Sequence, residues 1–211
     1  MSTNVRWESG QVDRDDRRRT TGAGATVWMT GLPGSGKSTL AKMLEERLVA
    51  AGRSAYRLDG DNLRHGLNSD LGFDPDARAE NVRRAAHVAR LFADAGVLAV
   101  VSLISPYASD RALAREIHVA AQLPFIEVFV DTPLEVCEQR DPKGLYARAR
   151  RGEIKGFTGV DDPYERPERA DIVVRTQEQD AEASVQQVLH ELDAALKAVE
   201  RVPDTPPQQL P

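Results

Sequence analysis

Apolar residues recur along this chain in two rhythms. Residues 25 to 30 (ATVWMT), 97 to 104 (VLAVVSLI) and 125 to 131 (FIEVFVD) are nearly unbroken apolar runs, and the more mixed segments 54 to 59 (SAYRLD) and 171 to 176 (DIVVRT) read as two further strands. Short runs without polar alternation read as parallel strands covered on both faces. Between them the spacing turns helical. STLAKMLEERLVAAG puts Leu40, Leu44 and Leu48 on one face and closes on Gly52, the expected residue after a helix end. PDARAENVRRAAHVARLFADAG, SDRALAREIHVAAQ, PLEVCEQRD and DAEASVQQVLHELDAALKAV are four further helices. Strands alternating with helices predict an α/β fold, a doubly wound parallel sheet with right-handed crossovers. Ligands in such sheets bind outside the carboxyl ends of the strands. That rule nominates residues 31 to 38, 59 to 61 and 105 to 107, and Asp131.

Both ends depart from either rhythm. ESGQVDRDDRRRTTGAG (8 to 24) has too little apolar content to offset its ordering entropy, so a mobile arm is expected over residues 1 to 24. RVPDTPPQQLP predicts a disordered tail over 201 to 211, which leaves one domain over 25 to 200. The net charge of -5 and pI of about 5.5 count against a nucleic-acid or membrane-surface binder and favour a small-molecule partner. One cysteine, Cys137, excludes an intrachain disulfide and is expected to pack mid-helix. No apolar run has signal or membrane-spanning length, and the cytoplasm is the expected compartment.

GLPGSGKST, residues 31 to 39, follows a strand and opens a helix, the context that gives a G-x-x-x-x-G-K-[ST] match its meaning. Gly31, Leu32, Pro33, Gly34, Ser35 and Gly36 form a loop whose amides turn inward on nucleotide phosphates, helped by the helix N-terminus. Lys37 is expected to reach the β and γ phosphates of ATP and Ser38 to hold Mg²⁺. Thr39 lies near the α phosphate or packs in the first turn.

LDGDN places Asp59 and Asp61 on either side of a glycine where the second strand ends. Two carboxylates there form a plain Asx turn or divide labour, Asp59 on the metal and Asp61 on an acceptor hydroxyl. The surroundings favour division. Arg64 is close by, and Arg78 and Asn81 share a helix face at i,i+3 spacing, suited to a second anion. Phe73 lies in a loop, where an aromatic stacks on a planar ligand, although such a residue is more often core. Residues 140 to 160 concentrate Lys143, Arg148, Arg150, Arg151 and Lys155 among four glycines, and read as a mobile basic lid over phosphates. Asp131 or Thr132, before Pro133, reads as a helix cap, and the four histidines lack metal-ligand spacing.

Taken together, GLPGSGKST, LDGDNLRHGLNSDLGF, RAENVRR, LFADAG, ISPY, DPKGLYARAR, GEIKGFTG and DDPYE resemble the adenylylsulfate (APS) kinases, in the same order. The resemblance runs from about Val5 to about Val174. It implies a P-loop NTPase-type fold and transfer of the ATP γ-phosphate to the ribose 3′-hydroxyl of adenosine 5′-phosphosulfate (APS). The products would be 3′-phosphoadenosine 5′-phosphosulfate (PAPS) and ADP. It implies that Arg64, Arg78 and Asn81 hold the phosphosulfate and ribose, that Phe73 and Phe157 sandwich the adenine, and that Ile104, Ser105, Lys143 and Leu145 complete the pocket. The family's serine at Ser105 is described as a phosphoserine intermediate; no histidine or lysine adjoins it in sequence, so a substrate contact is the first reading and a relay the second. A homodimer and association with ATP sulfurylase are also implied. Pro33 stands where the family most often has serine, and Ala108 where an arginine commonly follows ISPY.

Three rivals share the phosphate loop. A gluconate- or shikimate-type kinase would not need two aromatics for an adenine. A switch GTPase would need an N/T-K-x-D motif, which the chain lacks. A catalytically silent nucleotide-binding module would not need Lys37, Ser38, Asp59 and Asp61 intact.

Overall fold

The structure is a computed structural model and describes Glu8 and residues 10 to 200. Five strands, β1 (Ala25–Thr30), β2 (Ala55–Asp59), β3 (Leu98–Ser102), β4 (Phe125–Val130) and β5 (Ile172–Val174), form a wholly parallel sheet in the order β2-β3-β1-β4-β5. Every residue of β1, β3 and β4 is buried, which is why these runs show no polar alternation. Successive side chains serve opposite faces. Val27, Met29, Val100 and Val128 pack with helices α2 (Lys37–Ala50) and α8 (Ala181–Glu200) through Leu40, Leu44, Leu48, Val188 and Leu192. Trp28, Ala99, Val101 and Phe125 pack with α4 (Pro75–Asp94) and α5 (Ala108–Ala120) through Val82, Ala85, Ala89 and Ala114.

Register makes the strand ends level. Asp59 pairs with Ser102, Ser102 with Met29, and Thr30 with Phe129. The loops leaving β1 to β4 therefore open on one crevice, the place the doubly wound rule selects. Three short helices border it: α3 (Gly60–Leu63), α6 (Leu134–Arg140) and α7 (Leu145–Arg150). A cavity of about 500 Å³ lies elsewhere, lined by Gly22, Gly52, Gly96 and Lys197, and holds none of the nominated residues.

The expected mobile arm needs correction where it is described. Residues 14 to 21 form helix α1 (Arg14–Thr21), begun by a reciprocal capping box between Asp13 and Asp16. As its composition requires, α1 buries no residue. Polar contacts order it instead. Arg14 and Arg17 both reach Asp94, at 2.9 and 3.0 Å, and Arg14 also donates to Ala121 O at 2.7 Å. Basic side chains thus meet the negative C-terminal ends of α4 and α5. Residues 1 to 7 and 9, and the expected tail over 201 to 211, lie outside the described residues.

Candidate functional site

The phosphate loop connects β1 to α2. Gly31 has φ 151°, and a Cβ there would stand 2.7 Å from Val130 O of the neighbouring strand. Gly36 caps α2 at φ 108°, a left-handed conformation glycine adopts without strain. Lys37 folds back onto its own loop, donating to Gly31 O at 2.8 Å and Leu32 O at 2.7 Å. Burial lowers its pKa to about 8, against the opposing pull of Cys137, Asp59 and Asp61. The underside of the loop is braced. Thr132 and Thr176 hydroxyls both donate to Ser35 O at 3.0 Å, Arg140 donates to Thr176 Oγ1, and Tyr146 OH donates to Pro33 O.

These braces were not foreseen from sequence. The strand-end rule reaches Thr132 and Thr176, which follow β4 and β5, but says nothing of which way they bond. The expected cap at Asp131 or Thr132 is absent: α6 begins after Pro133 with no side-chain cap, Thr132 supports the loop, and Asp131 pairs with Arg166 at 2.8 Å.

Asp59 is buried at the end of β2. Its Oδ1 accepts from Asp61 N at 3.1 Å, an Asx-type turn, and its Oδ2 lies 3.2 Å from Arg57 Nη1. Ser102, its strand partner, stands 3.3 Å from Ser38 Oγ. Ser38 and Thr39 are exposed in the first turn of α2. Hydroxyl oxygens and a single carboxylate suit Mg²⁺, which keeps waters and phosphate oxygens among its ligands. The described residues hold no cluster of three or more His, Cys, Asp or Glu able to bind a metal. Asp61 is exposed and forms an ion pair with Lys143, brought in from the predicted lid.

On the acceptor side the arginines already have protein partners. Arg78 is buried and donates to Phe73 O at 2.8 Å, Thr158 Oγ1 at 2.9 Å and Gly156 O at 2.6 Å. Arg64 donates to Leu71 O and Gly72 O, both at 2.9 Å, and lies 4.2 Å over the Phe73 ring. Its pKa is lowered, first by burial and then by Arg78. Asn81 accepts from Asn68 at 2.9 Å. Phe73 is 65% exposed, whereas Phe157 is buried edge-on against Tyr146 with ring centroids 5.0 Å apart. Arg78 thus ties the Phe73 backbone to Gly156 and Thr158, the residues on either side of Phe157, while the Phe73 ring lies against Arg64 and the Phe157 ring against Tyr146. The segment expected as a lid is more than a bare loop: Leu145, Tyr146, Ala149 and Phe157 share a small core with Cys137 and Leu32.

Ser105 sits differently from its sequence placement. Its backbone is left-handed at φ 39°, and its buried hydroxyl accepts from Trp28 Nε1 at 3.2 Å, in the core beneath the crevice. Ile104 contributes its carbonyl, which accepts from Thr30 Oγ1 at 2.7 Å. Residues 161 to 165 clamp this turn. Tyr107 OH donates to Asp162, Tyr164 OH shares a hydrogen bond with Thr30 Oγ1, and Glu165 accepts from Ala108 N at 2.6 Å. The α5 N-terminus, which has no cap from its own chain segment, is therefore capped by Glu165.

A sequence model described as adenylylsulphate kinase matches residues 23–175. The chain belongs to this family. An adenylyl-sulfate kinase of Clostridium acetobutylicum is 50% identical over 192 residues, covering 90% of this chain and 94% of that protein. The Mycobacterium tuberculosis bifunctional enzyme CysN/CysC is 56% identical over 172 residues, 82% of this chain but 28% of that longer one. Among solved structures, the M. tuberculosis APS kinase CysC in complex with AMPPNP and APS superposes with a TM-score of 0.79 at 56% identity, covering 81% of this chain and 98% of that one. Those proteins share with this adenylylsulphate kinase most of the stretch that carries the phosphate loop, the paired aspartates and the lid.

Proposed function

We propose that this protein transfers the γ-phosphoryl group of ATP to the ribose 3′-hydroxyl of APS, giving PAPS and ADP. The observation that carries the reading is the convergence at Asp61. Asp61 pairs with Lys143 of the expected lid, on a turn that begins at the buried Asp59, and its charge, with those of Cys137 and Asp59, favours the ammonium form of Lys37 in the phosphate loop.

The chain's own groups divide the work. Loop amides hold the β and γ phosphates, and Lys37 leaves Gly31 O and Leu32 O to meet them. Ser38 and Asp59, beside Ser102, would hold Mg²⁺, which neutralises phosphate charge when bound. Asp61 orients the 3′-hydroxyl and takes its proton, and Lys143 balances charge beside it. Phe73 and Phe157 flank the adenine, with stacking of about 1–3 kcal/mol per base. Arg64, Arg78 and Asn81 hold the phosphosulfate and ribose, while Ile104, Ser105 and Leu145 complete the walls, Ser105 through its backbone. For Arg78 this requires exchanging the Thr158 hydroxyl and the Gly156 carbonyl for ligand oxygens, so substrate binding and movement of residues 156 to 158 are coupled.

The reading extends to a homodimer in the cytoplasm. No helix of the described residues is long and apolar enough to cross a membrane. Association with an ATP sulfurylase, implied by the family, is supported by two relatives named as bifunctional enzymes, of whose length the match to this chain covers 29 and 28%. An ADP-coupled assay with ATP, Mg²⁺ and APS is expected to show APS-dependent turnover, with gluconate, shikimate and nucleosides inactive. Turnover with a control and none with APS would overturn the proposal.

A further inference from the structure

We infer that Asn68 is a positioning residue for the acceptor substrate: it fixes the Asn81 carboxamide so that Asn81 offers an N–H donor to APS, never an acceptor. This rests on the reading that Asn81 contacts APS.

Asn68 lies in the turns between α3 and α4 and is fully buried. Its backbone is held at both ends, N donating to Leu63 O at 2.9 Å and O accepting from Leu71 N at 3.2 Å. The carboxamide nitrogen donates to Asn81 Oδ1 at 2.9 Å, whereas its own Oδ1 is buried with no hydrogen-bond partner among the described residues. An unpaired buried acceptor bears the full desolvation penalty of that group. Leucine, similar in volume, would fill the space without one. What asparagine alone supplies is the donor aimed at Asn81.

With its oxygen engaged from inside, Asn81 turns its nitrogen the other way. That nitrogen makes no hydrogen bond to any described residue and is not among the sealed, unpartnered atoms. Asn81 lies one turn along α4 from Arg78, whose guanidinium bridges Phe73 and Gly156. A donor fixed on that face accepts only a ligand atom with a lone pair, such as a ribose, phosphosulfate or ring-nitrogen acceptor. Other contacts keep the turn in place without Asn68. Arg84 donates to Leu67 O and to Asp70, and Arg64 donates to Leu71 O.

The test compares Asn68→Leu, Asn68→Asp and Asn81→Ala by calorimetric affinity for APS, affinity for AMPPNP, melting temperature, and KM against kcat. Asn68→Leu is expected to weaken APS binding about tenfold, the scale of one lost hydrogen bond. AMPPNP affinity and melting temperature stay near their original values, and the kinetic loss falls mainly on KM. Asn68→Asp can only accept, so it turns the Asn81 nitrogen inward and weakens APS binding at least as much. Asn68→Leu combined with Asn81→Ala should be no worse than Asn81→Ala alone. Unchanged APS affinity in both Asn68 variants, or a lowered melting temperature with APS affinity intact, overturns the inference. If Asn81→Ala weakens APS binding while Asn68→Leu does not, the positioning role alone fails. If Asn81→Ala leaves APS binding unchanged, the substrate contact itself was misassigned and the inference falls with it.

Discussion

At Ser105 the backbone decides what the side chain can do. A serine after a strand can face the crevice or the core, and φ 39° rotates this one onto the indole of Trp28. A phosphoryl relay would need the hydroxyl to leave a buried bond and reach an activating base. Ser105→Ala is therefore expected to keep turnover within a few-fold while lowering stability by about 1–3 kcal/mol, because Trp28 N–H loses its buried acceptor. Abolished turnover in a folded variant that still binds APS would restore the relay. Asp61 carries the opposite expectation. Asp61→Asn should cut kcat by about 10²–10⁴-fold, the usual share of a general base, with AMPPNP affinity retained; a parallel loss of nucleotide binding would move Asp61 to the metal or the phosphates.

Among the elements, α1 and α5 depend on polar contacts that local sequence does not announce. Arg14 and Arg17 converge on Asp94, some eighty positions away, so a stretch with no apolar face was readable only as a mobile arm. These ion pairs are partly exposed and individually weak. Asp94→Ala should speed amide exchange across residues 14 to 22 while global stability falls little; unchanged exchange would show that the capping box suffices. Helix α5 contributes the fully buried His118. Its Nδ1 bonds Ala114 O, which can only accept, so in the neutral ring, the form burial favours, Nε2 accepts from the Thr26 hydroxyl. Burial lowers its pKa from 6.5 to about 4. The unfolded chain therefore binds the proton first. Stability should be full above about pH 6.5 and decline from there toward pH 4, by on the order of 3 kcal/mol. His118→Phe should flatten that part of the profile, and an unaltered slope would assign it to other groups. Strands and long helices were legible because burial on both faces, or on one stripe, is written in period and length. Arg78 was legible as a cation near the crevice but not as a bridge, because Gly156 and Thr158 meet it only once the chain has folded.

For the whole molecule, one crevice collects groups from the ends of β1 to β4 and from residues 140 to 165. The sequence located the phosphate loop and paired aspartates, since strand, glycine and helix follow one another locally. It left out the braces at Thr132, Thr176 and Tyr146, whose partner is the same loop seen from below. Within the same loop, burial lowers the Lys37 pKa to about 8. In the free protein at pH 8 the amine is then about half protonated, whereas polyphosphate beside it favours the ammonium form. Nucleotide binding at that pH should draw roughly half a proton from solution, and about a tenth at pH 7. Calorimetric titrations of AMPPNP in buffers of different ionisation heat would read this uptake as a slope, larger at pH 8 than at pH 7. A zero slope at both would mean that Lys37 is already fully charged, and that the enzyme exchanges no proton at this lysine when it takes up its phosphate donor.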